Sequence, residues 1–117
     1  MGLILWIDAN TFATGLLEKV FKDQGFSFYC LENVDDFSYL VEDLKPSVLV
    51  LDYKTYKNGV NRFNEQYQGS ELLKKTPFII IDGLQENLGM GNIIGHLKRP
   101  FDPFEVPQQI KKMLTPH

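Results

Sequence analysis

Three aspartates, Asp8, Asp52 and Asp82, each close a short apolar run: Leu3-Ile4-Leu5-Trp6-Ile7, Val48-Leu49-Val50-Leu51 and Phe78-Ile79-Ile80-Ile81. Carboxylates are acceptor-only groups that hold cations and, when activated, attack as nucleophiles. Taken singly, any one of the three reads first as a helix cap or a loop acid. One pattern repeated three times points instead to a shared acidic pocket.

The elements that must position these acids follow from the hydrophobic pattern. Each apolar run is continuous rather than alternating, as in strands buried on both faces of a parallel sheet. Ser27–Leu31 reads as a further short strand and Ile93–Leu97 as a fifth. Between them lie helical spacings. Asn10 is placed to cap a helix with Phe12, Leu16, Leu17, Val20 and Phe21 on one stripe, closed by Gly25. Asn33 is placed to cap a second, with Asp35 and Asp36 in its first turn and Phe37, Leu40, Val41 and Leu44 buried, ending at Lys45-Pro46. Phe63 and Tyr67 mark a third pattern, and Ser70–Lys75 a fourth beyond Gly69. Asp102-Pro103-Phe104-Glu105 opens a last helix carrying Phe104, Ile110, Met113 and Leu114, whose start Pro107 delays. Strands alternating with helices give an α/β fold, a doubly wound five-stranded parallel sheet with helices on both faces. Ligands of such sheets bind at the carboxyl ends of the strands, where Asp8, Asp52 and Asp82 all fall.

Composition narrows the class. The 117 residues form a single domain, 1–117, long enough to bury roughly two thirds of the unfolded surface. Twelve Lys and Arg against fifteen Asp and Glu, a net of −3, argue against nucleic-acid or anionic-membrane partners. One cysteine, Cys30, permits no internal disulfide and reads as core. No apolar run is long enough to span a bilayer, and no basic segment precedes one at the N-terminus, so a cytoplasmic location is expected. Gly89-Met90-Gly91-Asn92-Ile93-Ile94-Gly95 does not follow a strand, and Pro100 leaves no room for the helix a dinucleotide loop requires. Two histidines, His96 and His117, and one cysteine cannot assemble a zinc cluster.

The ordered set Ile4-Leu5-Trp6-Ile7-Asp8, Pro46–Asp52, Pro77–Ile81 and Lys98-Arg99-Pro100-Phe101-Asp102-Pro103 resembles response-regulator receiver domains across essentially the whole chain. The resemblance implies the strand order 2-1-3-4-5 and a non-enzymatic role in two-component signalling. It implies Asp52 as phosphoacceptor, taking a phosphoryl group from a histidine kinase. It also implies a Mg²⁺ site from Asp8, Asp52 and the backbone carbonyl of Lys54. Gly83 falls on the small position that leaves the pocket accessible, His96 on the aromatic switch position, and Arg99-Pro100 on a commonly cis basic-Pro peptide.

Departures from the family pattern concentrate at the site. Ala9 stands where the principal direct metal ligand is expected, Asp82 where a Thr or Ser belongs, and Arg99 where a Lys belongs. Thr55-Tyr56 replaces the usual Met/Leu-Pro. An ionised Asp82 accepts hydrogen bonds and repels a phosphoryl group, whereas a hydroxyl donates. Two like charges about 4 Å apart cost roughly 4 kcal/mol at an effective dielectric near 20. Arg99 is therefore expected to bridge to Asp82 through its planar guanidinium. From Asp82 to Arg99 the chain is also short, and Gly89 and Gly91 weaken any helix there, so the helix between the fourth and fifth strands is expected to be shortened or irregular. Two functions follow: a phosphoacceptor receiver, favoured by Asp52 and the basic-Pro-Phe sequence, or a phosphorylation-independent pseudo-receiver acting in protein–protein interaction, favoured by Ala9 and Asp82.

Overall fold

The computed structural model describes residues 2–84 and 86–115. Five strands, β1 (Leu3–Ile7), β2 (Ser27–Leu31), β3 (Val48–Asp52), β4 (Phe78–Ile81) and β5 (Ile93–Leu97), form one sheet in the order β2-β1-β3-β4-β5. Every pairing is parallel, with Ile7 opposite both Leu31 and Leu51, and Asp52 opposite Ile81. Aligned registers bring the carboxyl ends of β1, β3 and β4 level. This is the expected doubly wound α/β fold.

Strand side chains alternate between two cores. Leu5, Ile7, Leu49, Leu51, Phe78 and Ile80 face helices α2 (Phe37–Leu44), α3 (Tyr53–Asn58), α4 (Val60–Gln68) and α5 (Glu71–Lys75). Ile4, Trp6, Val48, Val50, Ile79 and Ile81 face α1 (Thr14–Asp23) and α6 (Val106–Leu114). On the first side, Phe63 stacks on Phe37 with ring centroids 5.1 Å apart and meets Tyr56 edge-on at the same distance. Each such fully buried ring contributes about 1.5–3 kcal/mol through burial.

Helix starts depart from the expectation. Asn10 does not cap α1; its Oδ1 accepts the amide of Phe12 in a local turn, and the helix begins four residues later. Phe12 therefore lies outside the helix and is 96% exposed, while Leu16 lies within α1 but off its buried face of Leu17, Val20 and Phe21. Asn33 likewise turns back on Asp35 N–H, and α2 starts at Phe37. Asp102 accepts the amide of Phe104 in a turn, leaving Phe104 exposed, and α6 begins at Val106 with Pro107 in its first turn. In each case a short polar side chain satisfies the amide two residues on, which competes with the helix it was expected to start. Gly25 does close α1: at φ +89°, it donates to Lys22 O while Phe26 N–H reaches Phe21 O, the paired bonds of a left-handed helix stop.

Between β4 and β5, the described residues from Asp82 to Asn92 contain no helix. Leu88 and Met90 pack onto the sheet there. Asn92 anchors the segment: its Oδ1 accepts from Tyr67 O–H at 2.7 Å, and its Nδ2 donates to Leu73 O at 2.8 Å and to Thr76 O.

Candidate functional site

Asp8 follows β1, with its amide donating to Leu31 O at 2.9 Å, and it is 3% exposed. Its Oδ1 accepts the Asn10 amide at 3.0 Å. Asp52, the last residue of β3, is 7% exposed and caps α3. Its Oδ2 accepts both the amide (3.0 Å) and the hydroxyl (2.8 Å) of Thr55. Thr55 Oγ1 in turn accepts the Ala9 amide at 2.9 Å, tying the loop after β1 to α3. Asp82 follows β4 with φ +62°, a left-handed conformation that Asp tolerates better than most residues.

Arg99 joins all three. Its Nη1 donates to Asp52 Oδ1 at 2.8 Å and to Asp82 Oδ2 at 3.1 Å, its Nη2 donates to Asp8 Oδ2, and its backbone amide donates to Asp82 Oδ1 at 2.9 Å. Every oxygen of the three carboxylates thus has a partner, and four of the six are supplied by Arg99. The Arg99–Pro100 peptide is cis, and the guanidinium carbon lies 5.9 Å from the Phe101 ring centroid.

Burial holds the Asp8 carboxyl above its ordinary value, outweighing the Asn10 amide and the Arg99 charge. For Arg99, burial works against the charge. Its hydrogen bond to Asp52, the charge of Asp8 and the bond to Asp82 outweigh that and raise its pKa. Burial, then the charges of Asp8 and Glu32, push the Cys30 thiol up to about 11.

These groups floor a cleft of about 540 Å³ rimmed by Ala9, Tyr53, Lys54 and Asn58. Lys54 lies in the first turn of α3, so its carbonyl enters the helix's own hydrogen-bond ladder. Gly83 lies under Tyr53 and Ile80, where a Cβ would come within 2.7 Å of Ile80 Cγ2, so its smallness serves packing beside the cleft. His96 sits within β5, away from the cleft, with Nδ1 enclosed and no hydrogen-bond partner. Pro100 faces a neighbouring apolar cavity of about 550 Å³ with Trp6, Leu17 and Phe101. His117 lies outside the described residues.

Sequence reasoning paired Arg99 with Asp82 alone and gave Thr55 no role. The Asp52-x-x-Thr55 spacing carried a signal for the latter, since a capping aspartate meets the residue three positions on. The contacts of Arg99 with Asp8 and Asp52 had no local signal.

No protein-family model matches the chain, and no curated protein does. Solved structures do. A response regulator from Desulfuromonas acetoxidans superposes with a TM-score of 0.80 at 16% identity, over 97% of each chain. The receiver domain of a sensor histidine kinase from Pseudomonas aeruginosa gives 0.74 at 15% identity over 97% of each, and carries a magnesium ion coordinated in its active site cleft. A chemotaxis protein from Vibrio cholerae gives 0.74 at 16%, over 97% of this chain and 98% of that one. The fold of this chain is that of response-regulator receiver domains.

The cleft does not fit a divalent cation as it stands. Magnesium requires near-octahedral oxygen ligands at about 2.0–2.1 Å. Here Ala9 supplies none, the Lys54 carbonyl is in a helix, and the free sides of Asp8 and Asp52 face a guanidinium. Among the described residues, no group of three or more His, Cys, Asp or Glu side chains is arranged to hold a metal.

Proposed function

We propose that the chain is a signal-receiver domain of the two-component type, with Asp52 as its phosphoacceptor. The observation that carries this reading is the position of Asp52: it ends the central strand of a receiver fold, with Asp8 and Asp52 held by the one basic side chain of Arg99. A phosphorylated histidine of a kinase or a small phosphodonor supplies the group. Asp52 Oδ2 is engaged by Thr55, so Oδ1 is the oxygen free to react once Arg99 Nη1 releases it. The Oδ1 lone pair forms the new O–P bond while the donor's own bond to phosphorus breaks, P–N in a phosphohistidine or P–O in an acyl phosphate, with its electrons passing to the departing imidazole or carboxylate. Arg99 then donates to the incoming phosphoryl oxygens, which carry the charge it neutralised on the carboxylate.

On this reading the domain is a signalling module rather than an enzyme, and its partners are a histidine kinase or another signalling protein. The net charge of −3 gives no electrostatic footprint for nucleic acid, and a cytoplasmic location accords with that role. No described helix is long and apolar enough to cross a membrane.

A second reading, a phosphorylation-independent interaction module, draws on one observation: all six carboxylate oxygens are satisfied internally. Intact-mass measurement after incubation with a small phosphodonor, with and without Mg²⁺, separates the two. A hydroxylamine-labile phosphoryl adduct, lost in Asp52→Asn, is expected for a phosphoacceptor. An unmodified wild-type chain under all conditions selects the interaction module.

A further inference from the structure

We infer that Arg99 is the resident cation of the cleft, taking the place of a divalent metal and excluding it. Three carboxylates converge here, two of them on buried residues, an arrangement whose repulsion and burial cost call for a cation or a proton to offset the charge. Arg99 meets that requirement from within the chain. It contacts one oxygen each of Asp8 and Asp52 through separate Nη atoms and is anchored on Asp82 by both its side chain and its backbone amide. Asp82 therefore acts as the positioning residue that keeps the guanidinium over the other two acids. A lysine, with one compact ammonium on a flexible stem, would not span three carboxylates in this way.

The three departures become a single substitution of chemistry. Ala9 removes a metal ligand, Asp82 anchors the replacement cation, and Arg99 is that cation. The cluster keeps a formal charge of −2, so metal exclusion here rests on occupancy of the carboxylate oxygens and not on lack of attraction. Removing the guanidinium should open a cation site.

The inference concerns the cleft proposed above and takes from that reading only the identity of the expected cation. No phosphodonor enters its test, so the two stand or fall separately. Trp6, in the strand that leads to Asp8, is the only tryptophan and reports from beside the site. Wild type, Arg99→Met and Arg99→Lys are titrated with Mg²⁺ and with Mn²⁺ while Trp6 fluorescence and the thermal midpoint are followed. The wild type is expected to respond to neither ion. Arg99→Met is expected to lose thermal stability and to regain it with metal, its unfolding constant falling roughly tenfold at ten times the Kd. Asp8→Asn placed on Arg99→Met is expected to abolish that response. If Arg99→Met does not fold, Arg99→Lys carries the test, because a point charge frees at least one carboxylate and a weaker metal response should emerge. A wild-type response that Asp8→Asn removes would overturn the inference, as would folded Arg99 variants that remain silent to both metals.

Discussion

At the scale of the residue, the site depends on side chains that each do two jobs. Asp52 caps α3 with one oxygen and holds Arg99 with the other. Asp82 holds Arg99 while adopting φ +62°. That backbone disfavours a Thr at this position. A β-branched side chain in the left-handed region costs roughly 1–2 kcal/mol, and Thr would also lose the bonds to Arg99. Asp82→Thr is therefore expected to lower stability by about 2 kcal/mol in urea denaturation. Asp82→Asn, which tolerates the same φ and keeps an acceptor for the Arg99 amide, is expected to cost less than half as much. Equal losses for the two variants would show that the backbone conformation is not what disfavours Thr.

At the scale of the element, the described residues between β4 and β5 contain no helix. Leu88 and Met90 cover the sheet from an irregular segment, and Asn92 ties its end to α4, α5 and the residue that follows α5. Asn92→Ala leaves the Tyr67 hydroxyl and the carbonyls of Leu73 and Thr76 without this partner. The expected loss is about 2 kcal/mol by chemical denaturation. Asn92→Asp, which removes the donors and places a charge against two carbonyls, is expected to cost at least as much. The three inner strands, β1, β3 and β4, were readable from continuous apolar runs because a strand buried on both faces must be apolar throughout. Helix starts were not, because Asn10, Asn33 and Asp102 satisfy nearby amides in turns as readily as they cap. Helix α3 had no apolar stripe to announce it; it is capped by Asp52, which accepts the Thr55 amide at the end of β3.

At the scale of the whole molecule, the radius of gyration, 13.1 Å, is close to the roughly 13 Å of a compactly folded chain of about this length. The sheet is shared by both cores, so neither can dissolve without exposing the other. Urea unfolding followed by Trp6 fluorescence, which reports on the α1/α6 side, should coincide with far-UV circular dichroism, which reports on all helices. Separate transitions would mean that the two layers unfold independently. Charge is also organised at this scale: of the net −3, the cleft cluster accounts for −2, concentrated at one end of the sheet.

The amino-acid order alone was sufficient for the five strands, the α/β class, the strand-end placement of Asp8, Asp52 and Asp82, and the weakness of any helix after Asp82. These are matters of local pattern: apolar runs, their spacing, and glycines that disfavour a helix. The order of residues did not disclose that Arg99 spans all three acids, that Thr55 braces Asp52 against Ala9, or that Gly83 serves packing. Those contacts join positions 46, 47 and 91 residues apart, or depend on which side chain fills a gap between neighbouring elements. Parallel registers that bring three strand ends level exist only once the chain has folded. The chemistry of the cleft is the result of that arrangement.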